Sequence, residues 1–91
     1  MIKNLLTAAV AAGFTAFDLW DEEGKIARVT SVSEAMTYIN NLDGVSIEFL
    51  QPNGNGGFNI KDFLYYVGEN EGEECFADFG AGGWVEDYLR P

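Results

Sequence analysis

Histidine is absent from this 91-residue chain, cysteine occurs once, proline twice, and only five residues are basic. Each shortage excludes something. Without histidine, no side chain titrates near neutrality at its ordinary pKa, and the usual general base and commonest metal ligand are missing together. A single cysteine, Cys75, permits no intramolecular disulfide, and the simplest compartment for such a chain is a reducing cytoplasm. No apolar run reaches the ~18 residues of a membrane-spanning helix. Lys3 and the apolar stretch Leu5 to Ala12 loosely resemble a signal peptide, but Ile2, Leu5, Leu6, Ala9 and Val10 recur at helical spacing and fit one face of an amphipathic helix better.

The scarcity of positive charge is set against fifteen aspartates and glutamates, giving a formal net charge of −10. A field of that sign repels nucleic acid and anionic membranes and steers towards basic proteins or cations. Acidic chains are often disordered, yet 47% of these residues are hydrophobic and 14% aromatic, enough to fold. At this length the expectation is one domain over residues 1–91. It would bury roughly 60–65% of the surface exposed by its unfolded chain, leaving little room for a deep cleft.

The first helix is expected over about residues 2–12, ending at Gly13. Phe14 to Trp20 alternates as a strand, with Phe14, Ala16, Asp18 and Trp20 on one side; Asp21-Glu22-Glu23-Gly24 turns the chain, and Lys25 to Thr30 returns. Ser31 and Glu34 form a capping box for a helix over 31–42, whose buried stripe is Val32, Ala35, Met36, Ile39 and Leu42. Val45 to Leu50 alternates as a third strand, and Pro52 to Gly57 is a loop. Phe58 to Val67, apolar on both faces towards its end, reads as a central strand. Glu74 to Phe79 follows as a fifth strand, with Phe76 facing away from Cys75 and Ala77, and Trp84 to Arg90 as a short helix. The fold class is α+β: an antiparallel sheet of four to five strands with two to three helices mainly on one face, in the order α-β-β-α-β-β-β-α.

Catalytic chemistry finds little support. Cys75 follows Glu73 and Glu74 with Asp78 nearby, and neighbouring negative charge raises a thiol's pKa. Paired carboxylates act as acid and base only where an apolar pocket separates their pKa values, and these acids lie mostly in turns. Neither acidic turn matches a calcium loop; counting from Asp18 puts Trp20 where the third ligand belongs. The expectation is a non-enzymatic protein without metal or cofactor.

The acidic turns themselves are the candidate site. Glu69, Glu71, Glu73, Glu74 and Asp78 come first, and Asp21, Glu22 and Glu23 second. If 69–73 were extended, Glu69, Glu71 and Glu73 would project from one side about 6.5–7 Å apart. That resembles the phosphate spacing of a DNA strand and would suit the basic groove of a nucleic-acid enzyme. Solubility explains an acidic surface equally well. The interface-type aromatics are Trp20, Tyr65, Tyr66, Trp84 and Tyr88, most of them needed inside a core this small.

The succession of strand, acidic turn, strand and the Ser31 to Leu42 helix, followed by Leu64-Tyr65-Tyr66-Val67-Gly68 and Ala77-Asp78-Phe79, resembles small uncharacterised acidic proteins encoded by phages and prophages. The resemblance covers much of the chain without a diagnostic motif and brings no catalytic residues. It implies a setting in a host cytoplasm, among anti-restriction and anti-CRISPR inhibitors, some of which mimic DNA. With 22% charged residues the chain is less densely charged than full-length mimics, so partial mimicry is implied. The expected partner is a basic host protein or nucleoprotein complex, with no direct contact to nucleic acid or membrane, the protein being a monomer or weak homodimer. The alternative is an assembly module that dimerises through a sheet face or edge near Tyr65 and Tyr66.

Overall fold

The computed structural model describes residues 2–70 and 72–91. Helix α1 spans Ile2–Ala11, followed by strands β1 (Ala16–Asp21) and β2 (Gly24–Val29), helix α2 (Val32–Ile39), strands β3 (Gly44–Pro52) and β4 (Phe58–Val67), a 3-10 turn (Gly72–Cys75), strand β5 (Phe76–Phe79) and helix α3 (Trp84–Leu89). The five strands form one antiparallel sheet in the order β2-β1-β3-β4-β5. This is the expected α+β class and element order.

The local chemistry explains most boundaries. Ser31 caps α2 by accepting the Glu34 amide at 3.2 Å, while Glu34 reaches back to the Thr30 amide, one residue before the cap. α1 ends where Gly13 adopts a φ of 109°, closed to residues with a side chain. Asp21 and Gly24 pair across a two-residue hairpin, and the Asp21 carboxylate accepts the Glu23 amide at 2.8 Å.

Alternation then divides the sheet. Phe17 and Leu19 of β1, Val45, Ile47 and Phe49 of β3, and Leu64 of β4 turn to one face, where they join Leu5, Leu6, Ala35, Ile39 and Val85 of the three helices in one buried cluster. Val32, Met36 and Leu42, the rest of the expected α2 stripe, pack partly buried against it. Phe14 stands edge-on to Phe49 and Trp84, with centroids 5.6 Å apart in both pairs. Such burial is worth about 1.5–3 kcal/mol per large side chain. Among the described residues, all three helices lie on that side and the opposite face carries none.

Several expectations need correction. Phe14 precedes β1 and lies in the helix-side core, not beside Ala16 on the open face, because the turn after Gly13 brings the chain in from α1. Val10 is exposed, since a helix lying on a flat sheet buries a narrower stripe than its apolar residues span. Pro52 belongs to β3, paired with Phe58. β4 is an inner strand but β3 is the central one. The apolar residues of β4 reflect a bare face rather than two covered ones, as Phe63 and Tyr65 are both about two-fifths exposed (40% and 41%). Residues 72–75 form a 3-10 turn, not the start of a strand, so Cys75 and Phe76 both enter the core.

Candidate functional site

Register places a defined set of side chains on the open face. Lys25, Trp20, Ser46, Tyr65 and Asp78 face one another in successive pairs across all five strands, and Asp18, Glu48 and Phe63 form the neighbouring row. The middle of the first row is its smallest residue. On β3, Gly44 and Ser46 share the face, so a trench runs along this strand between Trp20 of β1 and Tyr65 with Val67 of β4. A Cβ at Gly44 would lie 2.8 Å from the Tyr65 hydroxyl, so glycine is what lets the tyrosine ring reach over the trench floor.

The walls are fixed by polar contacts. The Trp20 indole N–H donates to Glu48 Oε1 at 2.6 Å, and Lys25 Nζ stands 6.0 Å from the indole centroid. Asp18, buried to 3% exposure, accepts two bonds from Arg28 at 2.7 and 3.0 Å and lies 3.1 Å from Lys25 Nζ. The Arg28 hydrogen bond, chiefly, holds the Asp18 carboxyl below the usual aspartate range, against the opposing effect of burial. Arg28 also stacks over Phe58 at 4.9 Å.

The trench opens into a cavity of about 620 Å³ at one end of the sheet. Asp21, Glu22 and Glu23 reach it from the β1–β2 turn, Asp43 from the segment before β3, and Glu69 from the turn after β4. The loop at the opposite end, 53–57, carries no charge. The two acidic turns singled out from sequence therefore share one mouth although they are far apart in the chain. Their carboxylates are spread around it. Among the described residues no three acids or other ligating side chains gather as a metal would require.

The other expected contact residues are scattered. Glu73 lies beside Phe76, Phe79, Leu89 and Arg90 at a small hollow of about 60 Å³. Glu74 is exposed in the 3-10 turn, its carbonyl accepting from the Asn70 side chain at 3.0 Å. Asp78 stands on the open face opposite Tyr65. Glu71 lies outside the described residues. The described residues on either side of position 71 are not extended: the chain turns after Val67, and Glu73 lies in the 3-10 turn behind Gly72, whose φ is 58°. Asp43, Gly44, Ser46 and Glu48 were not visible as site residues. Tyr66 of β4 and Trp84 of α3 pack against the helix-side core and Tyr88 stacks on Trp84, leaving Trp20 and Tyr65 as the interface-type aromatics of the open face.

Cys75 is buried, its thiol donating to the Gly72 carbonyl at 2.9 Å, and burial pushes its pKa up. That is the opposite of what a nucleophile needs. No helix among the described residues is long and apolar enough to cross a membrane. No protein-family model, curated protein or solved structure matches the chain.

Proposed function

We propose that this chain is a non-enzymatic acidic inhibitor that docks onto the cationic groove of a host nucleic-acid-handling protein, in the phage setting implied by its sequence resemblance. The observation that carries the reading is the convergence of Asp21, Glu22, Glu23, Asp43 and Glu69 around one cavity mouth, with no charge in the loop at the other end. Carboxylates crowded at one end of a protein of net charge −10 present an anionic surface to lysine and arginine side chains that otherwise hold phosphates. The mimicry is of charge density at an edge, not of a regular phosphate row.

The test combines charge reversal with competition. A triple variant carrying Asp21→Lys, Glu22→Lys and Glu69→Lys should lose a basic partner captured from a bacterial lysate at low salt, whereas Glu34→Lys, on α2, should retain it. Duplex DNA should displace the wild-type protein from that partner, because both need the same cations. Binding that survives the triple reversal, or a ternary complex with DNA, overturns the reading.

Exposed Phe63, Tyr65 and Ile60 along β4 favour one second reading, a homodimer through the bare sheet face. Such a dimer would persist at high salt in sedimentation experiments, while the proposed complex would dissociate.

A further inference from the structure

We infer that the trench between Trp20 and Tyr65 is an anchor site for one arginine side chain of the basic partner. The inference rests on the proposed function and names the contact that gives it specificity. The floor, Gly44 and Ser46, is the smallest stretch of the open face, flanked by an indole and a phenol ring. Neighbouring strands lie about 4.8 Å apart, so the backbones of β1 and β4 stand roughly 10 Å apart across β3, with the Tyr65 ring reaching over Gly44 and the Trp20 indole reaching to Glu48. The cavity lined by both rings has room for a flat group lying along an aromatic wall. Glu48 follows Ser46 on the same face of β3, its carboxylate accepting the Trp20 indole N–H, and the outer end of the trench opens among the acidic turns.

A cationic, planar, hydrogen-bond-donating group meets all of these surfaces. Guanidinium stacks on aromatic faces, carries five donors for carboxylate and hydroxyl oxygens, and stays charged in a partly dry site, whereas an ammonium offers a compact, strongly hydrated point charge. Cations already meet rings on the open face, with Arg28 stacked over Phe58 at 4.9 Å and Lys25 more distant, 6.0 Å from the Trp20 centroid. Beyond the trench, Tyr65, Phe63 and Ile60 continue as an exposed apolar strip along β4, so the arginine would sit at the acidic end of a surface that also takes apolar side chains. A second copy of this chain is a poor occupant of the mouth, because it would bring two like-charged rims together.

The experiment uses the intact protein labelled with 15N, with acetyl-arginine amide and acetyl-lysine amide as probes. Arginine amide should shift the Trp20 indole N–H and the Ser46 amide saturably, leave the Trp84 indole in place, and bind at least about fivefold more tightly than lysine amide. Ser46→Phe fills the trench without removing any carboxylate. It should abolish those shifts and lower affinity for the captured basic partner about tenfold, the scale of a lost cation–π anchor. Tyr65→Ala, at an exposed position, should do the same and guards against misfolding of the first variant. Equal shifts with both probes, or unchanged partner affinity in both variants, overturn the arginine anchor. If the triple charge reversal still abolishes partner binding in that event, the proposed function stands without the anchor; if it does not, both fall.

Discussion

Asp62 stands inside β4 on the helix side, opposite Phe49, and is 7% exposed. Its Oδ2 accepts the Val85 amide at 2.7 Å and its Oδ1 accepts the Phe63 amide at 2.8 Å. α3 is six residues long, and its N-cap residue, Gly83, has no side chain to bond the free amides of the first turn. Asp62 therefore caps the helix from another element and adds a negative charge at the positive end of its dipole. Asp62→Ala leaves the buried Val85 amide without a partner, a loss of about 1–3 kcal/mol, and also removes a cap worth about 0.5–2 kcal/mol. These describe largely the same bond, so the expected cost is about 2–3 kcal/mol. Gly83→Ala attacks the contact from the other side, since its Cβ would lie 2.7 and 2.9 Å from the two carboxylate oxygens. The backbone there is ordinary, φ −92°, so the cost is steric alone, about 1–3 kcal/mol. Urea unfolding followed by tryptophan fluorescence measures both, with Trp84 opening the helix concerned. In a double-mutant cycle the two losses should be clearly less than additive, because removing the carboxylate removes the clash. Additive losses, or a Gly83→Ala cost below about 0.5 kcal/mol, would refute the capping account.

Two further predictions concern titratable groups. Asp18 has a lowered pKa in the folded protein, so its ion pairs add stability above the ordinary aspartate range and lose it as pH falls through that range and below; Asp18→Asn should cost about 1–2 kcal/mol at pH 7, discounted for the half-exposed Arg28 and Lys25, and the gap to wild type should narrow steadily as the pH is lowered. A gap independent of pH in denaturant titrations would show that the pairing contributes nothing. Cys75 should react with an anionic thiol reagent at neutral pH at least about tenfold more slowly than in urea, and fast labelling of the folded protein would contradict its burial and raised pKa.

Much of the fold was legible because punctuation and periodicity agreed. The bounds of β4 match expectation, since the glycine-rich loop before it and Gly68 after it leave no other apolar run to confuse them. Ser31 with Glu34 marks the start of α2 for the same reason. Legibility failed where a short segment had two equally good readings. Gly72–Cys75 is too brief for periodicity to separate a strand from a tight turn, and the structure decides through the positive φ of Gly72 and the bond from the Cys75 thiol to its carbonyl. Asp62 was silent for a different cause. A lone acid within an apolar strand has meaning only once Val85, twenty-three positions away, is known to lie against it.

The site divides along the same line. Its acids were visible in the chain and its trench was not, because small residues such as Gly44 and Ser46 become a floor only when register sets Trp20 and Tyr65 on either side of them. The meeting of the acidic turns, by contrast, follows from topology alone. In an antiparallel sheet ordered β2-β1-β3-β4-β5, the end of β1, the beginnings of β2 and β3, the end of β4 and the beginning of β5 all fall on one side. Asp21 to Glu23, Asp43 and Glu69 occupy those positions, so their carboxylates must gather at one end whatever conformation each turn adopts. The phosphate-like row needs residues 69–73 to be extended, and the described residues among them, 69–70 and 72–73, lie in turns; the charged edge needs only the strand order.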